Sequence, residues 1–101
     1  MIIHIGENIS LLGKSIVAIL DVKTVLESKD TKDFIDDLIK KNCLANNLEK
    51  NIKTYIITTD DNSIINRKKT NKYKLYVSNI SSTSLLKRIN MNELDWRKVN
   101  G

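Results

Sequence analysis

The longest uninterrupted apolar stretch in the chain is Ile16-Val17-Ala18-Ile19-Leu20, and Asp21 stops it. Five residues is strand length, far below the roughly 20 apolar residues that cross a bilayer as a helix. A short run without alternation indicates a strand contacted on both faces, although period alone leaves a buried helical segment open. The chain's 101 residues leave room for one domain with a modest core, to which self-association would add. Only five residues are aromatic, so that core has to be mostly Ile, Leu and Val.

The remaining elements follow from the same patterning. Ile2, Ile3 and Ile5 suggest a first strand, Gly6-Glu7-Asn8 a turn, and Ile9 to Leu12 a second strand ending at Gly13. Phe34, Ile35, Leu38 and Ile39 recur at helical spacing, with Asp33, Asp36 and Asp37 mainly on the other side. Ser28 to Thr31 supply N-cap candidates, of which Asp30 or Thr31 fits best, and Lys40-Lys41 suits the C-terminal end of the dipole. Residues 42–51, rich in Asn, read as a loop. Lys53 to Thr59 holds strong strand formers, and Lys72 to Ser78 alternates as a half-buried strand. The polar residues between them make a hairpin connection. Ser81-Ser82-Thr83 can cap a second helix carrying Leu85, Leu86 and Ile89. The expected fold is a single small α+β domain, order β-β-β-α-β-β-α, with one mainly antiparallel sheet and two helices. Residues 1–89 form that domain, and residues 90–101 form a tail whose Leu94 and Trp96 can dock onto a surface.

Catalytic chemistry finds little support. Gly6 precedes Gly13-Lys14-Ser15 by six intervening residues, where a phosphate loop needs four. A tight turn at Gly13 is the simpler reading. His4 is the only histidine, with no nucleophile or orienting partner in view. One His and one Cys, Cys43, do not make a metal site within one chain. The aspartates at 30, 33, 36 and 37 lie on the polar side of a helix, without the spacing of a calcium loop. No cofactor and no enzymatic activity are expected. The start Met1-Ile2-Ile3-His4 lacks the basic flank and long apolar stretch of a secretion signal. A cytoplasmic location is expected, where Asn8-Ile9-Ser10 and Asn79-Ile80-Ser81 would not meet the glycosylation machinery.

The charge pattern is more informative. The chain carries +5 overall, which permits a nucleic-acid partner without requiring one. Ile, Lys and Asn make up 41 of the residues, a bias of A·T-rich coding that discounts part of the basic charge. Residues 27–37 sum to −3, whereas residues 50–80 hold seven cations against Asp60 and Asp61. Separated blocks of opposite sign suit head-to-tail association, although each also suits a solvated face. Arg67, Lys68, Lys69, Lys72 and Lys74 fall within eight residues, while Lys50 and Lys53 precede one strand and Lys14 another. Such side chains bind phosphates largely without regard to base sequence. Charge alone does not separate DNA from RNA.

Three segments carry a family likeness. They are Ile3-His4-Ile5-Gly6-Glu7, Ile16-Val17-Ala18-Ile19-Leu20-Asp21, and Tyr76-Val77-Ser78-Asn79-Ile80-Ser81-Ser82-Thr83-Ser84-Leu85-Leu86-Lys87-Arg88. In that order they resemble the RemA/RemB-type extracellular matrix regulators of Gram-positive bacteria, most closely the RemB-like branch. The resemblance spans about residues 1–89. It implies a DNA-binding regulator of biofilm matrix genes, assembled as a ring whose repeated basic sites contact the backbone of double-stranded DNA. Repeating one weak cationic site gives avidity, and selection then favours DNA that bends easily. Lys14 stands where the family has an Arg, and Lys50-Asn51 where it has an Arg pair. Lys cannot reproduce the forked phosphate contact of Arg. Asn79 stands where the family has a Pro.

The expected DNA contacts are Lys14, Lys50 and Lys53, supplemented by Arg67, Lys68 and Lys69. The alternative is a protein-interaction module without DNA contact, co-assembling with a RemA-like paralogue or another cytoplasmic protein through Asp33, Asp36 and Asp37.

Overall fold

The computed structural model describes residues 1–47, 50–59 and 73–90. Its elements are β1 (Ile2–Gly6), β2 (Ile9–Leu12), a 3-10 turn (Gly13–Ser15), β3 (Ile16–Asp21), α1 (Val22–Glu27), α2 (Lys29–Lys40), β4 (Thr54–Thr59) and β5 (Tyr73–Ser78). A last helix, α3, covers residues 82–90. The α+β class, the antiparallel pairing and the order of strands hold. In two respects the architecture is richer than expected. The strands divide between two sheets, β1-β2 and β3-β4-β5, and α1 is an additional helix.

The hairpin β1-β2 is closed by Glu7 and Asn8, at φ of 52° and 61°. Two successive left-handed residues make the primed turn whose twist matches the flanking strands. Gly6, at φ +100°, prepares it. That left-handed φ strains any residue with a Cβ, whereas the 2.9 Å approach to the Asn79 carboxamide could be relieved by turning that exposed side chain. Rather than extending the larger sheet, the hairpin covers it. Ile3, Ile5 and Leu11 are buried with Ile56 of β4 and Leu85 of α3. Two buried hydroxyls fasten this layer. Ser78 Oγ donates to the Ile5 carbonyl (2.7 Å) and accepts from the Ile80 N–H (3.0 Å), while Thr54 Oγ1 donates to the Ile80 carbonyl (2.7 Å). The opposite face of β3-β4-β5 packs Ile57 and Leu75 against Val25 of α1 and Ile35 and Leu38 of α2. The sheet is thus covered on both faces, which is why β4, its central strand, reads as a continuous run instead of alternating.

α1 escaped the sequence because it follows β3 without a turn residue and is rich in β-branched side chains, which favour strands. Ser28 then takes an extended conformation and caps α2, its Oγ accepting from the Thr31 N–H at 3.5 Å. The cap is therefore earlier than Asp30 or Thr31, and Asp30 lies in the first turn, where the dipole favours a carboxylate. Ile35 and Leu38 form the buried stripe of α2, while Phe34 and Ile39 flank it, 42% and 43% exposed. The helix ends at Asn42, which is left-handed (φ 60°). The Cys43 N–H bonds to the Leu38 carbonyl and the Asn42 N–H to the Ile39 carbonyl, the paired closure of a Schellman motif. Ser81 caps α3, its Oγ accepting from the Ser84 N–H at 3.2 Å, and Leu85 is completely buried.

Candidate nucleic-acid interface

The strand register decides which expected contact residues come together. Lys14 sits in the 3-10 turn just before Ile16, and Ile16 pairs with Thr58. Thr58 in turn pairs with Lys74. Lys14 and Lys74 therefore mark one end of the larger sheet, the end at which β4 finishes at Thr59 and β5 begins at Tyr73. Lys53 precedes β4 at the other end, where Asp21 pairs with Thr54 and Thr54 with Ser78. The two ends lie about 20 Å apart, the rise of a six-residue strand. The expected set is thus split: Lys14 is at one end, and Lys50 and Lys53 are at the other. All three are exposed. Arg67, Lys68 and Lys69 lie outside the described residues.

At the Lys53 end the backbone is tightly organised. The Lys53 carbonyl accepts from the Val22 N–H at 3.0 Å, and its own N–H donates to the Ser78 carbonyl at 2.9 Å. This bonding brings the start of α1 beside the start of β4, and with it Lys23, also exposed. Lys23, Lys50 and Lys53 consequently lie toward one end of the sheet, the end at which Asp21 pairs with Thr54. Lys23 had no sequence signal, because about thirty residues and a whole helix separate it from Lys53. Its place depends on the antiparallel return of β4 along β3. Lys74 was visible within a basic run, but its pairing level with Lys14 was not.

On α3, Lys87 and Arg88 are exposed as well, and an Arg88 guanidinium nitrogen donates to the His4 carbonyl. That contact ties α3 to β1 and gives Arg88 a structural task. On α2 the aspartates 30, 33, 36 and 37 are exposed beside the equally exposed Lys29, Lys32 and Lys40, so the helix carries a net charge of −1. Asp37 pairs with Lys41 at 2.9 Å, and its hydrogen bond and charge hold the Lys41 amine above the usual lysine value. Among the described residues, no group of three or more His, Cys, Asp or Glu is arranged to hold a metal ion. None of their helices is long and apolar enough to cross a membrane.

The chain matches no protein-family model and no curated protein.

Proposed function

We propose that the chain is a cytoplasmic, non-catalytic bacterial DNA-binding regulator of extracellular-matrix gene expression, acting as a ring-like homo-oligomer that grips the DNA backbone. The observation that carries this reading is that the Val22–Lys53 backbone bond brings the exposed Lys23 to the end of the sheet where the exposed Lys50 and Lys53 lead into β4. Exposed lysines held on strand and helix starts are suited to phosphates, since each neutralises one charge and releases counterions. The resemblance to the RemA/RemB-type regulators supplies the assembly and the class of target genes. The exposed aspartates of α2 are opposite in sign to the lysines at the Lys53 end and suit a head-to-tail arrangement, because heterologous contacts close a ring when the rotation permits. Double-stranded DNA, A·T-rich or easily bent, is the preferred partner, since lysines without base contacts select by deformability.

Fluorescence anisotropy of a labelled A·T-rich duplex, titrated at several salt concentrations, tests the reading. The expected log–log slope is about −3 to −8. Replacing Lys50 and Lys53 by Ala lowers its magnitude by about 2 and weakens binding evenly across sequences. Lys14→Ala reports separately on the other end. Absence of binding at low salt, with folded protein, overturns DNA binding.

One observation favours a second reading, a module that binds protein and not DNA. Phe34 and Ile39 are 42% and 43% exposed among the aspartates of α2. A partner recovered from lysate through that face, and retained after nuclease treatment, supports this alternative. Recovery of nucleic acid alone counts against it.

A further inference from the structure

The end of α2, the segment after it and the first half of β5 enclose an open groove of about 880 Å³. Phe34 and Tyr73 form its aromatic wall, edge to face with ring centroids 6.3 Å apart, and the half-buried Tyr76 adds a third ring. Phe34 is 42% exposed although it already packs against Tyr73. A flat ring stacked there covers apolar surface at little further cost in side-chain freedom. Lys41 and Asp37 line the groove as an ion pair at 2.9 Å. Among the described lining residues, Lys74 therefore supplies the net positive charge. Lys14 stands at the same end of the sheet. It precedes Ile16, which lies two strand spacings, about 10 Å, from Lys74 across Thr58.

Aromatic rings beside a cation match the chemistry of a nucleotide, a flat base joined to a phosphate. A base paired within a duplex keeps its faces stacked on its neighbours, whereas a single strand offers them to protein rings. We infer that the groove takes one unstacked base of a single-stranded nucleic acid. The base lies on Phe34 beside Tyr73, and an adjoining phosphate meets Lys74. Such a contact tolerates any base, because every base has a π-face. The groove borders the start of β5, whereas Lys53 bonds to the last residue of that strand, Ser78. Single-strand binding here therefore stands or falls separately from duplex binding through Lys50 and Lys53.

A fluorescein-labelled oligothymidylate, which forms no duplex with itself, is titrated with the full chain beside a labelled duplex. The strand is expected to bind at low salt. Phe34→Leu is expected to weaken strand binding roughly tenfold, the equivalent of about 1.4 kcal/mol of stacking, and to leave duplex affinity unchanged. Leucine keeps the apolar bulk and removes the π-face, so a packing role alone would not produce this loss. Phe34→Tyr, which keeps the face, should bind the strand as the native chain does. Lys74→Ala should lower the magnitude of the strand's log–log salt slope by about 0.7, the share of one phosphate. Replacing Lys50 and Lys53 by Ala should act on the duplex and spare the strand. No strand binding by folded protein at low salt overturns the proposal, whatever the duplex does. So does strand affinity unchanged in folded Phe34→Leu, or an equal loss for strand and duplex. Free thymidine monophosphate that displaces the strand at equal nucleotide concentration marks a mononucleotide site and overturns a strand site.

Discussion

The two edges of the larger sheet are treated differently. Beyond β5, the segment after α2 runs alongside in parallel, with Leu44 bridged to Leu75. The Leu75 N–H donates to the Cys43 carbonyl and the Ala45 N–H to the Leu75 carbonyl, both at 2.8 Å. Asn46 extends the seal with its side chain, its Nδ2 donating to the Val77 carbonyl (2.9 Å) and its Oδ1 accepting from the Val77 N–H (2.8 Å). The carboxamide thus stands in for a peptide group of a further strand. The β3 edge has a strand neighbour on one side only. Its irregularity falls between Ile16 and Ala18, leaving Val17 54% exposed. One edge is closed by hydrogen bonds and the other is blunted by a bulge, two of the ways in which proteins avoid pairing an edge with a stranger.

This contrast predicts unequal sensitivity to substitution. The largest effect is expected for Leu75→Ala, which empties a completely buried site beside the sealed edge and costs about 3–4 kcal/mol. Ile19→Ala, on the half-buried open edge, should cost about half of that, since part of its surface already meets water. Urea denaturation of the two variants measures the difference, and equal losses would remove the contrast. Asn46→Ala comes next, at about 1–3 kcal/mol, because it leaves both polar groups of Val77 without their partner. Hydrogen exchange at the Val77 amide should accelerate selectively, and an unchanged rate would mean that water replaces the carboxamide without loss. The smallest change is expected for Val17→Lys, within about 0.5 kcal/mol in the isolated chain. If the open edge joins copies in the assembly, the same variant will shift the oligomer distribution in sedimentation while thermal stability stays constant.

The strands and two of the helices were legible because each carries a local signal. Periodic apolar residues mark α2 and α3, and β-branched runs bounded by polar residues mark β3 and β4. α1 was illegible, since six residues with strand-like composition become helical only by packing Val25 against α2 and β3. The edge role of residues 43–46 was equally hidden. Asn-rich sequence signals a loop, and only the course of the loop along β5 makes Asn46 part of the sheet. Of the expected contact residues, Lys14, Lys50 and Lys53 are exposed as a phosphate-binding role requires, but register separates the first from the others.

The sequence by itself determined what most segments had to bury, and therefore which of them, α1 excepted, became strands and helices. Short apolar runs, a Gly-Glu-Asn turn and the serine cap of α3 act through neighbours within a few residues, so they survive translation into local structure. Tertiary structure alone decided that the hairpin β1-β2 covers the sheet instead of joining it, and that Ser78 fastens it through the Ile5 carbonyl. It also decided that the start of α1 is bonded to Lys53, and that an asparagine side chain closes one edge while the other is bulged. Each of these depends on which distant segments share a hydrogen bond, and pairing between segments far apart in the chain is set by the packing of the whole domain.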